Sequence, residues 1–423
     1  MTSKRQGARR HRPVLFGALA GSLAAVASQP VRAAEPPIKI GVISEEAAVA
    51  GASIDRAAKM AADEINAKGG IDGRQVQILT YDDHSSAADA VRAFQRAASQ
   101  DKVDAVIVSY ISEVVLAVEP WAGRLHVPTI TPGAASNDIS KHVHGDYDHL
   151  KYMFHGWLTS AFIAQSICDA SHDTLVDKLH MKSAVVMSED AAWTTPLDKR
   201  YLECLPKAGL TVLDHIRFNP DTTDFTPIFH EIEAKKPDVI ISGISHVGVQ
   251  PTVQWRDQQV PIALAGQSSQ ATTSTFWKDT NGAADGVITA SAAAPGVAIT
   301  PKTIPFVDAY TKRYGDSPSY AGFNAYDEVY YIADAVKRAG STDPDKMVAA
   351  LEKTDWVGTV GRIQFYGKDN EFTHAMKYGT QYVSGVDVQW QNGKQVCIWP
   401  SDKCSGQMHF PSFVKIPQQT AAK

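Results

Sequence analysis

The sequence predicts an α/β protein built from two doubly wound parallel sheets. Short β-branched strands alternate with helical patterns through most of the 423 residues, and this alternation is typical of parallel sheets with helical crossovers. The chain is long enough for two domains with separate cores. The alternation weakens after Pro132 and resumes at Trp157, so we expect the chain to pass from one domain to the other there.

The first strand and helix support this prediction most directly. Residues 38–43, Ile-Lys-Ile-Gly-Val-Ile, have the composition of a short buried strand. From Ile54 to Ile65, apolar residues recur on one face at helical spacing, and Gly69-Gly70 is a suitable helix stop.

The remaining elements follow the same alternation until the last sixty residues. Strands are predicted at residues 76–81, 105–108, 127–130, 184–187, 212–218, 239–242, 262–265 and 286–289. Helices are predicted at residues 114–122, 197–205, 227–234 and 326–339. The polar stretch 291–305 is a second candidate crossing. Period-two alternation then predicts antiparallel strands at residues 362–366, 378–386 and 389–398.

The N-terminus has the features of a secretion signal. Basic residues precede an apolar stretch at residues 14–28, and Val31-Arg-Ala33 offers small residues for cleavage near Ala33. We therefore expect an exported protein whose signal peptide is residues 1–33. The pair Arg9-Arg10 leaves both general secretion and twin-arginine export open.

Charge and cysteine content narrow the class of protein. A net charge of -5 argues against a nucleic-acid partner, because phosphate binding needs a basic surface. No later run of about 18 apolar residues predicts a membrane span. Four cysteines in an oxidising compartment predict two disulfides, Cys168 with Cys204 and Cys397 with Cys404. Buried free thiols are the alternative.

The loops that follow the predicted strands are the candidate binding site, since ligands of open α/β sheets bind beyond the carboxyl ends of the strands. These loops are rich in Ser and small residues and contain a few aromatic residues. Tyr110 and Ser112 follow the third strand, and His246 follows the strand at 239–242. Hydroxyls and backbone N–H groups at helix N-termini suit a carboxylate ligand.

The chain resembles the periplasmic solute-binding proteins of the branched-chain amino-acid (Leu/Ile/Val-binding) type, the receptors of ABC importers. The matching segments run in family order through nearly the whole mature chain. They are residues 38–43, Glu64-Ile-Asn-Ala-Lys-Gly-Gly-Ile-Asp-Gly-Arg74, Asp82-Asp83, Val127-Pro-Thr-Ile-Thr-Pro-Gly-Ala-Ala135, Asp224-Phe225, residues 236–240, Tyr326-Asp327 and Ala339-Gly340. The Asn-Ala-x-Gly-Gly-Ile-x-Gly-Arg segment is the most specific.

The resemblance implies a type I periplasmic binding fold, with two α/β lobes joined by three crossings that close on a ligand. Lobe 1 is expected to contain residues 34–154 and 292–360, and lobe 2 residues 155–291 and 361–423. The implied partners are a small-molecule ligand and the membrane permease subunits of an ABC transporter. We expect a monomer with no cofactor, no metal and no catalytic residues.

The resemblance also implies ligand-binding positions. Ser112 and residues Ala134, Ala135 and Ser136 hold a carboxylate from lobe 1, and Trp193 covers the ligand from lobe 2. Tyr320 and Phe323 approach an aromatic wall, and Tyr110 and His246 complete the expected site. Gln267 lies near the position where amino-acid binders place an acid for the ligand's ammonium group.

Three positions depart from the amino-acid pattern. Gln267 supplies no negative charge, Ala135 replaces a hydroxyl residue, and Ala50 stands where some members have a bulky aromatic residue. These differences favour an aromatic or other organic carboxylate, or an amide, over Leu, Ile or Val.

Two alternative functions are a sensor that reports ligand to a signalling partner and, less favoured, a secreted hydrolase. No fused signalling or membrane domain is predicted, which favours the receptor over the sensor. Gly243-Ile-Ser-His-Val-Gly248 has its second glycine one residue too late for the nucleophile motif of a hydrolase. The polar stretch 142–149 contains three His and two Asp that have the chemistry of a metal site, although such clusters are more often solvated.

Overall fold

The structure is a computed structural model that describes residues 35–417 together with Gly7 and His11. The predicted signal peptide and its cleavage site near Ala33 lie outside the described residues, apart from those two. The chain divides into Met1–Glu35 and a second unit that begins at Pro36.

Residues 38–155 form the first parallel sheet and its helices. In chain order the elements are β1 (Ile38–Ile43), α1 (Val49–Ala67), β2 (Val76–Tyr81), α2 (Ala87–Arg96), β3 (Ala105–Val108), α3 (Ser112–Leu125), β4 (Thr129–Thr131), α4 (Asn137–Gly145), α5 (Tyr147–Leu150) and β5 (Met153–His155). The strands are all parallel, in the order β2-β1-β3-β4-β5.

The second parallel sheet follows directly. Its elements are α6 (Ser160–Ser171), β6 (Ser183–Glu189), α7 (Thr194–Ala208), β7 (Thr211–Phe218), α8 (Thr226–Lys235), β8 (Val239–Ile244), α9 (Gln250–Asp257), β9 (Ala263–Ser268) and α10 (Phe276–Asp279). The strand order is β7-β6-β8-β9. Both sheets carry apolar residues on both faces, as expected for parallel strands covered by helices on either side.

The rest of the chain adds elements to both parallel-sheet regions. Its elements are β10 (Ile288–Ser291), α11 (Thr303–Tyr314), α12 (Tyr320–Ala339), α13 (Pro344–Leu351), β11 (Trp356–Val357), β12 (Arg362–Ile363), β13 (Val386–Gln391) and β14 (Lys394–Trp399). Strands β10, β13 and β14 form an antiparallel sheet, and β11 pairs with β12. The chain thus crosses between the two sheet regions three times, after β5, after β10 and between Met376, which still hydrogen-bonds β5, and β13.

Helix α12 returns the chain to the first sheet by packing against α1. The two helices approach closely at Gly322, where a Cβ atom would lie 2.2 Å from the Ser53 hydroxyl oxygen. That hydroxyl accepts hydrogen bonds from the Ser319 N–H at 3.0 Å and the Tyr310 hydroxyl at 3.1 Å. Glycine at 322 therefore permits the contact that returns the chain to the first sheet. The predicted lobe limits remain a prediction.

The fold class is as predicted, and the bounds of most strands lie within a few residues of the predicted bounds. The strand predicted at residues 389–398 is wrong: it is a hairpin, because Asn392 and Gly393 both have positive φ, 49° and 83°, which a two-residue hairpin turn requires. Residues 378–386 make only an isolated bridge from Tyr378 to Val383. Two glycines with positive φ, Gly379 and Gly385, interrupt this segment.

The polar stretch 142–149 is also different from its prediction as a loop. It forms the end of α4 and the short α5. Ser136 caps α4 by accepting a hydrogen bond from the Asp138 N–H at 3.3 Å, which satisfies one of the free N–H groups at the helix start. None of the helices in residues 35–417 combines the length and hydropathy needed to cross a membrane.

Two disulfides are present, with the pairing suggested by the sequence. Cys168 in α6 bonds Cys204 in α7, and Cys397 in β14 bonds Cys404. The first joins two helices that pack on each other beside the second sheet, and the second closes a short loop.

We expect the disulfide between the helices to contribute more to stability. The separations are 36 and 7 residues, so loop-closure entropy gives about 4 kcal/mol for the first and about 2.5 kcal/mol for the second. Urea unfolding of Cys168→Ala/Cys204→Ala against Cys397→Ala/Cys404→Ala measures the difference. A larger loss of unfolding free energy in the second double variant contradicts this expectation.

Candidate ligand-binding cleft

A cleft lies where the carboxyl ends of the two parallel sheets face each other. Its lining comes from the ends of β3 and β4 on one side and of β6, β8 and β9 on the other, completed by residues after β5 and at the start of α12. The lining residues are Tyr110, Ile111, Ser112, Gly133, Ala135, Trp157, Ile163, Trp193, Ser245, His246, Gln267, Ser269 and Tyr320. The free volume is only about 20 Å³, so the two sides are nearly in contact.

Ser112 presents a hydrogen-bond donor to the cleft. It is the first residue of α3, and its hydroxyl oxygen accepts the N–H groups of Ala135 and Ser136, each at 3.1 Å. The Ser112 hydroxyl proton has no acceptor among the described residues. Because the N-terminus of a helix favours negative charge, this proton is well placed for a ligand carboxylate.

The loop after β4 is held by hydrogen bonds to each of its carbonyl groups. The donors are Asn324 to Pro132 at 2.8 Å, Tyr320 to Gly133 at 3.3 Å, His155 to Ala134 at 2.5 Å and Ser160 to Ala135 at 2.8 Å. Burial lowers the pKa of His155 to about 4, so this imidazole is neutral and donates through Nε2. The loop is therefore fixed from α12, β5 and α6 together.

Gly133 is needed for the close approach of this loop to Tyr110. A Cβ atom at position 133 would lie 2.7 Å from Tyr110 Cβ and 3.1 Å from Ala321 Cβ. The Tyr110 hydroxyl donates to Glu45 Oε2 at 3.2 Å, which fixes the aromatic ring at the mouth of the cleft.

On the other side, one buried carboxylate organises the lining. Glu189, at the end of β6, has no exposed surface. It accepts the Trp193 indole N–H at 3.0 Å and bonds His246 Nδ1 at 2.6 Å. It also accepts the backbone N–H groups of Ser245 at 2.9 Å and His246 at 2.8 Å. Glu189 thus links the ends of two neighbouring strands, β6 and β8.

The Glu189–His246 contact favours the ionised form of both groups. Burial alone would raise the pKa of Glu189, but the hydrogen bond and charge of His246 outweigh it and lower that pKa. The hydrogen bond to Glu189 raises the pKa of His246 against the opposing effect of burial. The contact therefore favours protonation of an imidazole whose Nδ1 is already bonded.

His246 also faces the opposite side of the cleft. Its Nε2 lies 4.0 Å from Glu113 Oε2, beyond hydrogen-bond distance, and has no acceptor among the described residues. Glu113 Oε1 accepts the Ala192 N–H at 2.8 Å. Because Glu113 belongs to α3 and Ala192 follows β6, this bond joins the two sides of the closed cleft.

The structure brings together seven of the ten predicted ligand-binding residues. Those that line the cleft are Tyr110, Ser112, Ala135, Trp193, His246, Gln267 and Tyr320. Ala134 and Ser136 do not: both are wholly buried, and their N–H groups are bonded to Thr131 and Ser112. Phe323 lies in a neighbouring cavity instead.

Six lining residues were not among the predicted ones: Ile111, Gly133, Trp157, Ile163, Ser245 and Ser269. Four of these belong to the loops after strands that were already expected to form the site. Trp157 and Ile163 instead follow β5, which has only three residues and was not predicted. The apolar stretch Tyr152-Met-Phe154 was the available signal for this strand.

The histidines of residues 142–149 take separate partners. His142 bonds Glu119 at 2.8 Å, and His144 bonds the Lys368 carbonyl at 3.2 Å. Among the described residues, the group with metal-ligand spacing is His172, Asp173 and Asp177, and all three are exposed. Asp173 already accepts the Trp399 indole N–H.

The fold and the cleft define a two-sided binding protein for a small molecule. The family model for periplasmic binding proteins matches residues 37–384, and the chain belongs to this family. Leu/Ile/Val-binding protein homolog 8 of Brucella melitensis is 26% identical over 417 residues, which cover 94% of this chain and 98% of the relative.

Two solved structures extend the comparison. LivJ, a branched-chain amino acid transporter substrate-binding protein from Streptococcus pneumoniae in complex with isoleucine, is 25% identical with a TM-score of 0.73, covering 86% of this chain and 100% of that one. A solute-binding protein of an ABC transporter from R. palustris in complex with benzoate is 18% identical with a TM-score of 0.72, covering 86% and 95%. The second likeness concerns the fold alone. The relatives are binding proteins of transporters and not enzymes.

We expect Gly133→Ala to disturb the cleft and lower stability. The added methyl group overlaps Tyr110, and overpacking of this kind costs about 1–3 kcal/mol. Gly145→Ala is the control, because its Cβ would meet no atom within 4 Å. Urea unfolding measures both variants, and equal stabilities contradict the role assigned to Gly133.

We also expect the stability contribution of His246 to depend on pH. Its pKa is raised in the folded protein, so its contribution is complete below the ordinary value of about 6.5 and is lost as the pH rises through the folded-state pKa. The unfolding free energy of the native protein should therefore exceed that of His246→Gln most at pH 5.5–6.5 and less at pH 9. His230→Gln, on the exposed side of α8, is the control. A difference independent of pH contradicts the expectation.

Proposed function

We propose that this protein is the periplasmic receptor of an ABC importer and that it captures a small aromatic carboxylate without an ammonium group. After removal of the signal peptide near Ala33, the monomeric receptor delivers its ligand to the membrane permease subunits. Membership of the periplasmic binding protein family supports the receptor role.

The observation that carries the ligand class is the composition of the cleft. Four aromatic rings line it, from Tyr110, Trp157, Trp193 and Tyr320, and none of its thirteen lining residues is Asp or Glu. The acids Glu45, Glu113 and Asp190 line the adjoining open cavity, beyond Tyr110 and His246. An ammonium group held among the thirteen residues would have no free counter-ion, and a desolvated unpaired charge is costly. A flat apolar ring, in contrast, packs favourably against aromatic side chains.

Four side-chain groups of the lining are available for the carboxylate and other polar atoms of the ligand. They are the Ser112 hydroxyl proton, the Ser245 hydroxyl, His246 Nε2 and the Gln267 amide, which makes no side-chain hydrogen bond with the described residues. The bond to Glu189 raises the pKa of His246 and so favours a positive charge at that position. That a protein of the same fold was solved with benzoate is consistent with this choice.

The small free volume supports hinge closure as part of the mechanism. About 20 Å³ is little more than one water molecule needs, so a ring-sized ligand enters only when the two sides separate. Its contacts then favour the closed form, in which Glu113 meets the Ala192 N–H.

A calorimetric panel tests the ligand class. We expect benzoate and 4-hydroxybenzoate to bind more tightly than leucine, benzamide or glycine betaine, the last of which tests the aromatic rings for cation binding. Tight leucine binding without binding of any non-amino acid, or a preference for betaine, contradicts the proposal.

A single substitution should change the preference. Gln267→Glu supplies the missing negative charge, so leucine should bind roughly ten- to hundredfold more tightly and benzoate more weakly. Gln407→Glu adds the same charge at an exposed position outside the cleft and serves as the control. Unchanged leucine affinity in Gln267→Glu means that position 267 does not contact the ligand's amino group.

A further inference from the structure

A second cavity lies beside the cleft, on the other side of Tyr320. It has a volume of about 350 Å³, which is within the range of small-molecule pockets, roughly 300–1,000 Å³. Its walls come from the segment after β10, the starts of α11 and α12, and the β13–β14 hairpin. In contrast to the cleft, this cavity is open without any separation of the two sheets.

The lining is mainly apolar. Eight of its fifteen residues are apolar or aromatic, namely Ala293, Ala294, Pro295, Val307, Pro318, Tyr320, Phe323 and Trp390, and the other side chains include the neutral polar ones of Thr272, Ser274, Ser291, Ser317 and Gln395. The polar atoms of the two larger aromatic residues are bonded elsewhere, because the Trp390 indole N–H donates to the Ala271 carbonyl at 2.8 Å and the Tyr320 hydroxyl donates to the Gly133 carbonyl at 3.3 Å. These rings therefore offer carbon surface to the cavity.

One charged side chain lies at the edge of this apolar surface. Lys394, the first residue of β14, is exposed and lines the cavity, and no acidic residue of the described chain does. Lys394 makes no ion pair with the described residues. The turn at Asn392 and Gly393 places it at the cavity edge, so apolar walls and an uncompensated cation occur together.

We propose that this cavity is a second binding site, for a small amphipathic carboxylate whose apolar body occupies the walls and whose anionic group meets Lys394. The site is distinct from the cleft and does not depend on the identity of the cleft ligand. Burial of the apolar part of the ligand provides the affinity, and the charge of Lys394 favours a ligand with an anionic end group.

Straight-chain carboxylates test the site on the mature full-length protein. By calorimetry, affinity should rise roughly fourfold per added methylene from hexanoate to octanoate, and octanoate should bind more tightly than uncharged octanamide. Absence of octanoate binding to the native protein overturns the proposal.

Matched variants then locate the binding. Val307→Phe, at a half-buried position on α11, fills the cavity and should weaken octanoate at least tenfold, whereas Val307→Ala should leave it within about threefold. Lys394→Gln should weaken octanoate but not octanamide, with Lys346→Gln as the lysine control. Thermal unfolding verifies that each variant is folded.

The cleft variant Trp193→Ala separates the two sites. Octanoate binding should persist in Trp193→Ala, while binding of benzoate to the cleft should fall. Octanoate binding that is lost in Trp193→Ala and retained in Val307→Phe would place the molecule in the cleft and refute the second site. Failure of benzoate to bind would refute the proposed function alone.

Discussion

The Glu189 carboxylate is the interaction on which one whole side of the cleft depends. It is wholly buried, yet two backbone N–H groups, an indole and an imidazole all bond to it. A buried charge is tolerated only with such complete pairing. Because those donors belong to Trp193, Ser245 and His246, the same carboxylate that satisfies the burial requirement also fixes the ligand-facing positions of two strand ends.

The opposite side of the cleft is held by hydrogen bonds to the backbone of one loop. The carbonyls of residues 132–135 each accept a side-chain hydrogen bond. The N–H groups of residues 134–136 donate to the hydroxyls of Thr131 and Ser112. Few polar groups are then left free for a ligand. Selectivity between ligands on this fold therefore rests on a few side chains, such as Ser112 and Gln267, and a change at one of them need not disturb the scaffold.

The sequence was informative where a residue's neighbours in the chain decide its structure. Strands β1, β2 and β3 were predicted with their observed bounds, since buried β-branched runs have few alternatives. The hairpin at Asn392-Gly393 was missed because the alternation of apolar and polar residues continues through the turn. Trp157 was missed because β5, the strand before it, is so short. The role of Glu189 was not predictable: its partners Ser245 and His246 lie 56 and 57 residues away, and only the parallel pairing of β6 with β8 brings them together.

Tyr320 connects these observations, because its ring is a wall of both the cleft and the second cavity. Its hydroxyl donates to the Gly133 carbonyl, in the loop that faces the ligand, while its backbone begins α12, the helix that returns the chain to the first sheet. Asn324 of the same helix donates to the Pro132 carbonyl, so the loop and the shared wall lie on one side of the cleft and move together when the two sides separate. The opposite wall of the second cavity contains Trp390 of β13, and β13 pairs with β10 beside the second sheet. Separation of the two sides would therefore change the distance between Tyr320 and Trp390, and with it the shape of the second cavity.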